Sequence, residues 1–169
     1  DEKNKTDLFN NAKERSENVM ITDLVRNDLS KHAVRSSVQV EELFGIYSFK
    51  QVHQMISTVS ALLNNESNYI NAIKDAFPMG SMTGAPKIKA MELIERHELM
   101  KRGLYSGALG YIDPENNFDF NVLIRSIIIN AKTNKAQFCV GSAITHKANA
   151  DDEYQECLLK ANALFKVLA

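Results

Sequence analysis

The sequence is poor in cysteine. Cys139 and Cys157 are the only two thiols in 169 residues. That is too few for a disulfide scaffold, and they lack the spacing of a metal-binding cluster. A reduced, cytoplasmic protein is expected. No tryptophan, three prolines and seven glycines leave few chain breakers, so the secondary-structure elements should be long. No apolar run approaches the roughly 18 residues of a membrane-spanning helix. The strongest run, around Ile127–Ile129, is far shorter. An excess of one charge is also missing: 20 Lys and Arg face 21 Asp and Glu, a formal net charge of −1. A general nucleic-acid binder needs a basic surface to displace counterions. Neither nucleic acid nor a membrane is therefore an expected partner. The opening DEKNKTD is polar and unlike a secretory signal. It also starts without Met, in charged helix-like sequence, which suggests a piece of something longer.

What is present is an ordinary globular composition, 44% hydrophobic and 24% charged, with length enough for one domain. Residues 4–30 contain neither Gly nor Pro, and Leu8, Ala12, Val19, Met20, Leu24 and Val25 recur at helical spacing. The pattern predicts one helix to about Asn27. Ser37–Tyr47 alternates and is β-rich, which predicts a strand. Lys50–Asn64 carries Val52, Met55, Ile56, Val59, Leu62 and Leu63, which reads as an amphipathic helix. A shorter helix is expected over Asn65–Phe77, capped by Asn65 or Ser67. A loop of small residues, Pro78–Pro86, leads into a helix from about Pro86 to His97. Three β-rich runs follow, Leu104–Ile112, Phe118–Asn130 and Ala136–Ile144, separated by turn-like segments. They predict an antiparallel meander. A helix over Asp151–Leu168 closes the chain. Five helices and four strands, grouped rather than alternating, indicate an α+β fold.

Several constellations can carry chemistry. Glu14 and Glu17 lie three apart on the first helix, and Glu153 and Glu156 three apart on the last. Each pair projects from one helical face. Two converging pairs would supply hard oxygen ligands for Mg²⁺; solvated helix faces carry the same spacing. The loop Gly80–Pro86 offers backbone N–H groups to an anion, or simply a helix cap from Ser81 or Thr83. The phosphate-loop spacing is absent. His53 borders the apolar face of its expected helix, where histidine is often structural. Arg125 falls in the apolar run Val122–Ile127. A guanidinium there either faces solvent or acts as a bidentate clamp for a carboxylate, with Tyr105 on the neighbouring strand to assist. Gly141-Ser142-Ala143 brings free N–H groups just ahead of the acidic helix.

Taken together these stretches resemble the C-terminal part of the chorismate-utilising enzymes, which include aminodeoxychorismate synthase component I, anthranilate synthase component I and the isochorismate and salicylate synthases. The similarity runs through Lys13–Asp28, Ser48–Val59, Phe77–Met91, Arg102–Tyr111, Ile124-Arg125 and Glu153–Glu156, in order along nearly all of the chain. The resemblance implies that residues 1–169 are the C-terminal portion of a chorismate-binding catalytic domain, in a fold of two β-sheets packed face to face with helices outside. It implies Glu17 and Glu156 as Mg²⁺ ligands, with Glu14 and Glu153 as their second carboxylates. His53 would lie near the leaving ring hydroxyl, and Arg125 and Tyr105 would grip the enolpyruvyl carboxylate. Ser81 and the backbone at Gly141 and Ala143 would make the remaining substrate contacts. Where the family has Gly, this chain has Ala143, and Thr145–Asn149 departs from the family's usual run.

Within the family, the Phe77–Gly84 and Ser48–Gln54 segments look more like aminodeoxychorismate synthase than anthranilate synthase. The implied activity is amination of chorismate, with Mg²⁺ as cofactor and ammonia from a glutamine amidotransferase subunit. Anthranilate formation, or a non-catalytic chorismate-site module, are the alternatives. The lysine of a Pro-Ile-Lys-Gly-Thr segment, which the resemblance assigns to the aminodeoxychorismate synthases, would lie upstream of this chain.

Overall fold

The structure is a computed structural model that describes residues 1–168 apart from 51, 67 and 147. The chain divides into two compact units, residues 1–98 and 99–169, and the architecture is α+β.

The first unit opens with two helices, α1 (Glu2–Asn10) and α2 (Ala12–Ser30). Sequence periodicity favours one continuous helix here. The break falls at Asn11, whose backbone is extended and whose side-chain oxygen accepts from the N–H groups of Lys13 and Glu14 at 2.9 and 3.1 Å. Asn gains these bonds only by leaving the helical conformation, which is why it starts a helix better than it continues one.

The expected strand is present as β1 (Gln39–Ser48). The expected helix over Lys50–Asn64 is not: this segment contains β2 (His53–Ser60), antiparallel to β1 from Gln39↔Ser60 to Ser48↔His53. Ile56, Thr58 and Val59 are β-branched and favour a pleated surface. The apolar spacing fits either period over so short a run, and pairing with β1 decides it. Beyond β2, the Val34 N–H donates to the Leu62 carbonyl and the Asn64 N–H to the His32 carbonyl, each at 2.8 Å. The chain after α2 is thereby tied to the end of the hairpin.

Helix α3 (Tyr69–Ala76) is capped by Asn68, which accepts from the Ile70 N–H at 2.8 Å, rather than by Asn65. Ser67 lies outside the described residues. A three-residue 3₁₀ turn (Gly80–Met82) and α4 (Lys87–His97) complete the unit, with Pro86 at the N-cap of α4.

The second unit holds four short strands and one long helix, α5 (Ala150–Leu168). The expected meander appears as two separate hairpins, β3 (Ala108–Ile112) with β4 (Phe118–Val122) and β5 (Ile128–Asn130) with β6 (Lys135–Gln137). The middle apolar run does not continue as one strand. After β4 the Leu123 N–H and carbonyl pair with Gly107 and Ser106. Arg125 then takes a left-handed backbone at φ 52°, and the Ser126 hydroxyl bonds the Ile124 carbonyl. Both features interrupt a ladder. The third run forms a strand only over Lys135–Gln137, and residues 138–146 are irregular. Among the described residues the chain thus has five α-helices and six strands.

The most enclosed groups are not all apolar. Ala161 and Leu164 are buried on α5, and Phe165 meets Phe138 edge to face at 5.2 Å. Thr22, Asp28, Ser106 and Glu153 are buried as deeply. No described helix is long and apolar enough to cross a membrane.

Removing the Asn11 cap by Asn11→Ala should lower the unfolding free energy by about 1 kcal/mol. Asn11→Asp should retain most of it. Chemical denaturation of the two variants checks both statements.

Candidate functional site

In the first unit, α2 carries the first carboxylate pair. Glu14 stands in the opening turn, where a negative charge suits the helix dipole. Glu17 follows one turn later, its side chain 21% exposed and 3.9 Å from the Lys13 ammonium. The helix is held against the hairpin by one hydroxyl: Ser57 on β2 donates to Asn18 Oδ1 at 2.5 Å and accepts from the Phe44 N–H at 3.1 Å. The carboxylates therefore have a fixed relation to β2.

His53 opens β2, not a helix. Its side chain is 16% exposed, and both ring nitrogens are engaged, Nδ1 with Ser48 Oγ at 3.0 Å and Nε2 with Asp1 Oδ1 at 2.7 Å. An imidazole held at both nitrogens has a defined plane, as an acid–base group requires. Ser81 is exposed on the 3₁₀ turn. The neighbouring Gly80 is buried against α2, where a Cβ would stand 2.9 Å from Leu24 Cδ1. Only glycine lets the turn approach the helix this closely.

Asp28 and Lys87, to which the sequence assigned no chemical role, meet here. Asp28, 6% exposed, accepts from Lys87 at 2.5 Å on one oxygen and from Lys31 at 3.2 Å on the other. His32 bonds Asp75 at 2.8 Å, and this hydrogen bond holds the Asp75 carboxyl below its ordinary pKa.

In the second unit the expected residues are drawn into contact around the start of α5. The Tyr105 hydroxyl stands 2.8 Å from where a Cβ on Gly141 would be. The Gly141 carbonyl accepts from Lys160 at 3.0 Å, and Lys160 forms an ion pair with Glu156 one turn earlier on α5. Glu153, 4% exposed, is hydrogen-bonded to the Ser142 hydroxyl. Arg102 lies over the Tyr105 ring, 5.9 Å from its centroid, and donates to Ser106 Oγ at 3.1 Å. Tyr105, Gly141, Ser142, Glu153, Glu156 and Lys160 thus form one connected cluster.

Lys160 in the cluster and Arg102 beside it are the residues that sequence reasoning passed over. Lys160 had a signal, its i,i+4 spacing from Glu156; Arg102 had none beyond lying three residues before Tyr105. Arg125 is not in a strand. It is exposed at the left-handed bend after β4. Ala143 is exposed in the irregular segment before α5. Among the described residues, no group of three or more His, Cys, Asp or Glu is gathered tightly enough to hold a metal. Each unit instead offers a pair of carboxylates, and hard oxygen donors are the kind Mg²⁺ takes.

A sequence profile of the chorismate binding enzymes matches residues 1–166. The chain belongs to this family. It is 40% identical to aminodeoxychorismate synthase component 1 of Escherichia coli over 169 residues, 99% of this chain and 37% of that protein. It is also 40% identical to anthranilate synthase component 1 of Methanothermobacter marburgensis, over 95% of this chain and 34% of the relative. The chain spans little more than a third of either. Among solved structures, anthranilate synthase component I of Streptococcus pneumoniae superposes with a TM-score of 0.82 at 36% identity, over 92% of this chain and 35% of that one. A Bacillus anthracis protein described as a 2,3-dihydroxybenzoate-specific isochorismate synthase gives 0.86 at 20% identity, over 99% of this chain and 44% of that one, which speaks for the fold alone. These likenesses agree with a chorismate-binding fold built from helices and small antiparallel sheets.

The contact between Tyr105 and Gly141 is testable. Gly141→Ala should destabilise the protein by about 1–3 kcal/mol through overpacking. Tyr105→Phe in the same background should recover most of that loss, because only Oη stands in the way. Thermal unfolding of the single and double variants measures the coupling.

Proposed function

We propose that this chain forms the chorismate-binding part of an enzyme that converts chorismate and ammonia to 4-amino-4-deoxychorismate. Ammonia would come from a separate glutamine amidotransferase subunit. The observation that carries the reading is the connected cluster of Tyr105, Gly141, Glu153, Glu156 and Lys160. A hydroxyl, the backbone at Gly141, one buried carboxylate and one partly exposed one meet there on a chain 40% identical to the E. coli synthase component.

Chorismate carries two carboxylates, and the side chains provide for both. Arg125, exposed at its bend, would clamp the enolpyruvyl carboxylate through its fork of N–H donors, and the Tyr105 hydroxyl would donate alongside. Glu17 and Glu156 would hold Mg²⁺, with Glu14 and Glu153 beside them, and the ion when bound supplies the positive charge that holds the ring carboxylate. Each pair offers the hard oxygen donors that Mg²⁺ takes, with no thiol or imidazole among them. Ser81 and the N–H groups at Gly141 and Ala143 would position the ring. His53, fixed at both nitrogens, would hold a proton near the departing C4 hydroxyl.

A specific observation favours a second reading, anthranilate formation: the M. marburgensis relative is as similar as the E. coli one. The product separates the two readings. Chromatography of a reaction of the full-length enzyme with chorismate, ammonium and Mg²⁺ should show 4-amino-4-deoxychorismate and no anthranilate.

The catalytic unit is expected to extend beyond these residues. β3 is exposed along its whole length, with Leu109 at 65% and Tyr111 at 64% exposure, and an isolated two-stranded hairpin is marginal in water. Strands from elsewhere in a longer polypeptide would cover such faces. The 169-residue chain alone should therefore show no amination of chorismate.

In the full-length enzyme, Glu156→Gln should lower Mg²⁺-dependent turnover by about a hundredfold or more, at least the loss seen when a metal site's supporting residues are removed. Its circular dichroism should be unchanged. Wild-type turnover in the variant would remove Glu156 from the metal site.

A further inference from the structure

We infer that Asp28 and Lys87 are a positioning pair for substrate binding, acting through the loop that carries Ser81. The inference rests on the proposed function, in which Ser81 contacts chorismate.

The loop between α3 and α4 spans residues 77–86, and Lys87 is the first residue of α4. Its ammonium reaches Asp28 Oδ2 at 2.5 Å and the Ala76 carbonyl at 3.1 Å. One side chain thus joins the residue that ends α3, the residue that starts α4 and the last turns of α2. The loop is closed at its neck. Asp28 takes a second ammonium, Lys31, on its other oxygen. Lys31 also reaches the Asp75 carbonyl at 3.5 Å, while His32 bonds the Asp75 side chain. The end of α2 is therefore fastened to the end of α3 by three side chains, and to α4 by one.

Inside this neck the loop has little freedom. Gly80 is seated on Leu24 of α2 without room for a Cβ. The Thr83 hydroxyl closes the 3₁₀ turn onto the Met79 carbonyl at 3.1 Å. Ser81 is the exposed residue at the centre of that turn. The helix that receives the loop is the helix that carries Glu14 and Glu17. The clasp therefore sets where the Ser81 hydroxyl stands relative to those carboxylates. Burial makes the pairing obligatory: Asp28 is 6% exposed and the Lys87 side chain 14%. Removing one partner leaves a charge without compensation in a poorly solvated place. A helix–loop junction needing only stability is served as well by apolar packing. A charged clasp between two stretches far apart in sequence, around Asp28 and around Lys87, fits a demand for fixed geometry.

The test is a double-mutant cycle in the full-length enzyme, read in KM for chorismate. Ser81→Ala and Lys87→Met should each raise KM about tenfold while kcat changes by no more than about twofold, the signature of lost uniform binding. If Lys87 acts through Ser81, the S81A/K87M double variant should be no worse than either single one. Lys87→Arg, which keeps the charge, should restore KM to within about threefold of wild type. Where K87M does not fold, D28N/K87M removes both charges together and replaces it in the cycle.

Multiplying effects, about a hundredfold in the double variant, would overturn the inference, as would a loss of thermal stability with KM unchanged. Wild-type kinetics keep the two ideas apart. Wild type that aminates chorismate with additive variant effects leaves the proposed function standing and removes the positioning role. Wild type that leaves chorismate untouched overturns both.

Discussion

The first unit depends on a buried carboxylate. Asp28 has almost no exposure to water, and a charge so placed is tolerated only when it is paired and hydrogen-bonded. Lys31 supplies one partner from the same helix, and Lys87, 59 positions away in sequence, supplies the other. This need explains a feature of the sequence that composition cannot. The stretches around Arg26–Asp28 and Ala85–Lys87 answer one requirement, because the acid in one makes no sense without the base in the other. The small residues between α3 and α4 follow from it. Once Lys87 is held at the neck, the loop must fold against α2 at close range, and Gly80 is the residue that can.

Much of the fold was legible from local signals. α2, α4 and α5 carry apolar residues at helical spacing with few breakers, and β1 alternates. The errors lie where two local readings compete and a distant partner chooses. Val52, Met55, Ile56 and Val59 fit a helix by spacing and a strand by side-chain branching, and only β1 beside them resolves it. Asn11 ends a helix that periodicity would continue, since its side-chain oxygen finds two backbone donors there. Arg125 and Ser126 break an apolar run that reads as one long strand. The backbone there turns left-handed at a residue with a Cβ, which propensity gives no reason to expect.

The site was legible in its residue types and only partly in its connections. The Glu pairs show in spacing alone, because an i,i+3 relation is local. Tyr105 beside Gly141 is not local. It depends on an irregular segment returning to meet a turn, and nothing in either stretch announces the other. The same holds for the Ser142–Glu153 bond, although there the proximity of the segment to α5 gave a hint. Lys160 shows how a local signal can be present and still be passed over. Lysine four residues after glutamate is common on solvated helices, and what distinguishes this one is its second bond, to the Gly141 carbonyl.

That second bond bears on the proposed role of Glu156 as a metal ligand, because the same carboxylate is paired to an ammonium. A carboxylate has two oxygens and about four lone-pair positions. Lysine, a compact donor with three N–H groups on a flexible stem, occupies only part of that capacity. The Gly141 carbonyl accepts from the same ammonium, so Lys160 is placed by two acceptors. One face of Glu156 is thereby oriented and partly neutralised while lone pairs remain for a cation. Glu153 is arranged differently, buried and bonded to the Ser142 hydroxyl. The two acids three residues apart are thus unequal. One is partly exposed and paired with lysine, the other is buried and bonded to a hydroxyl.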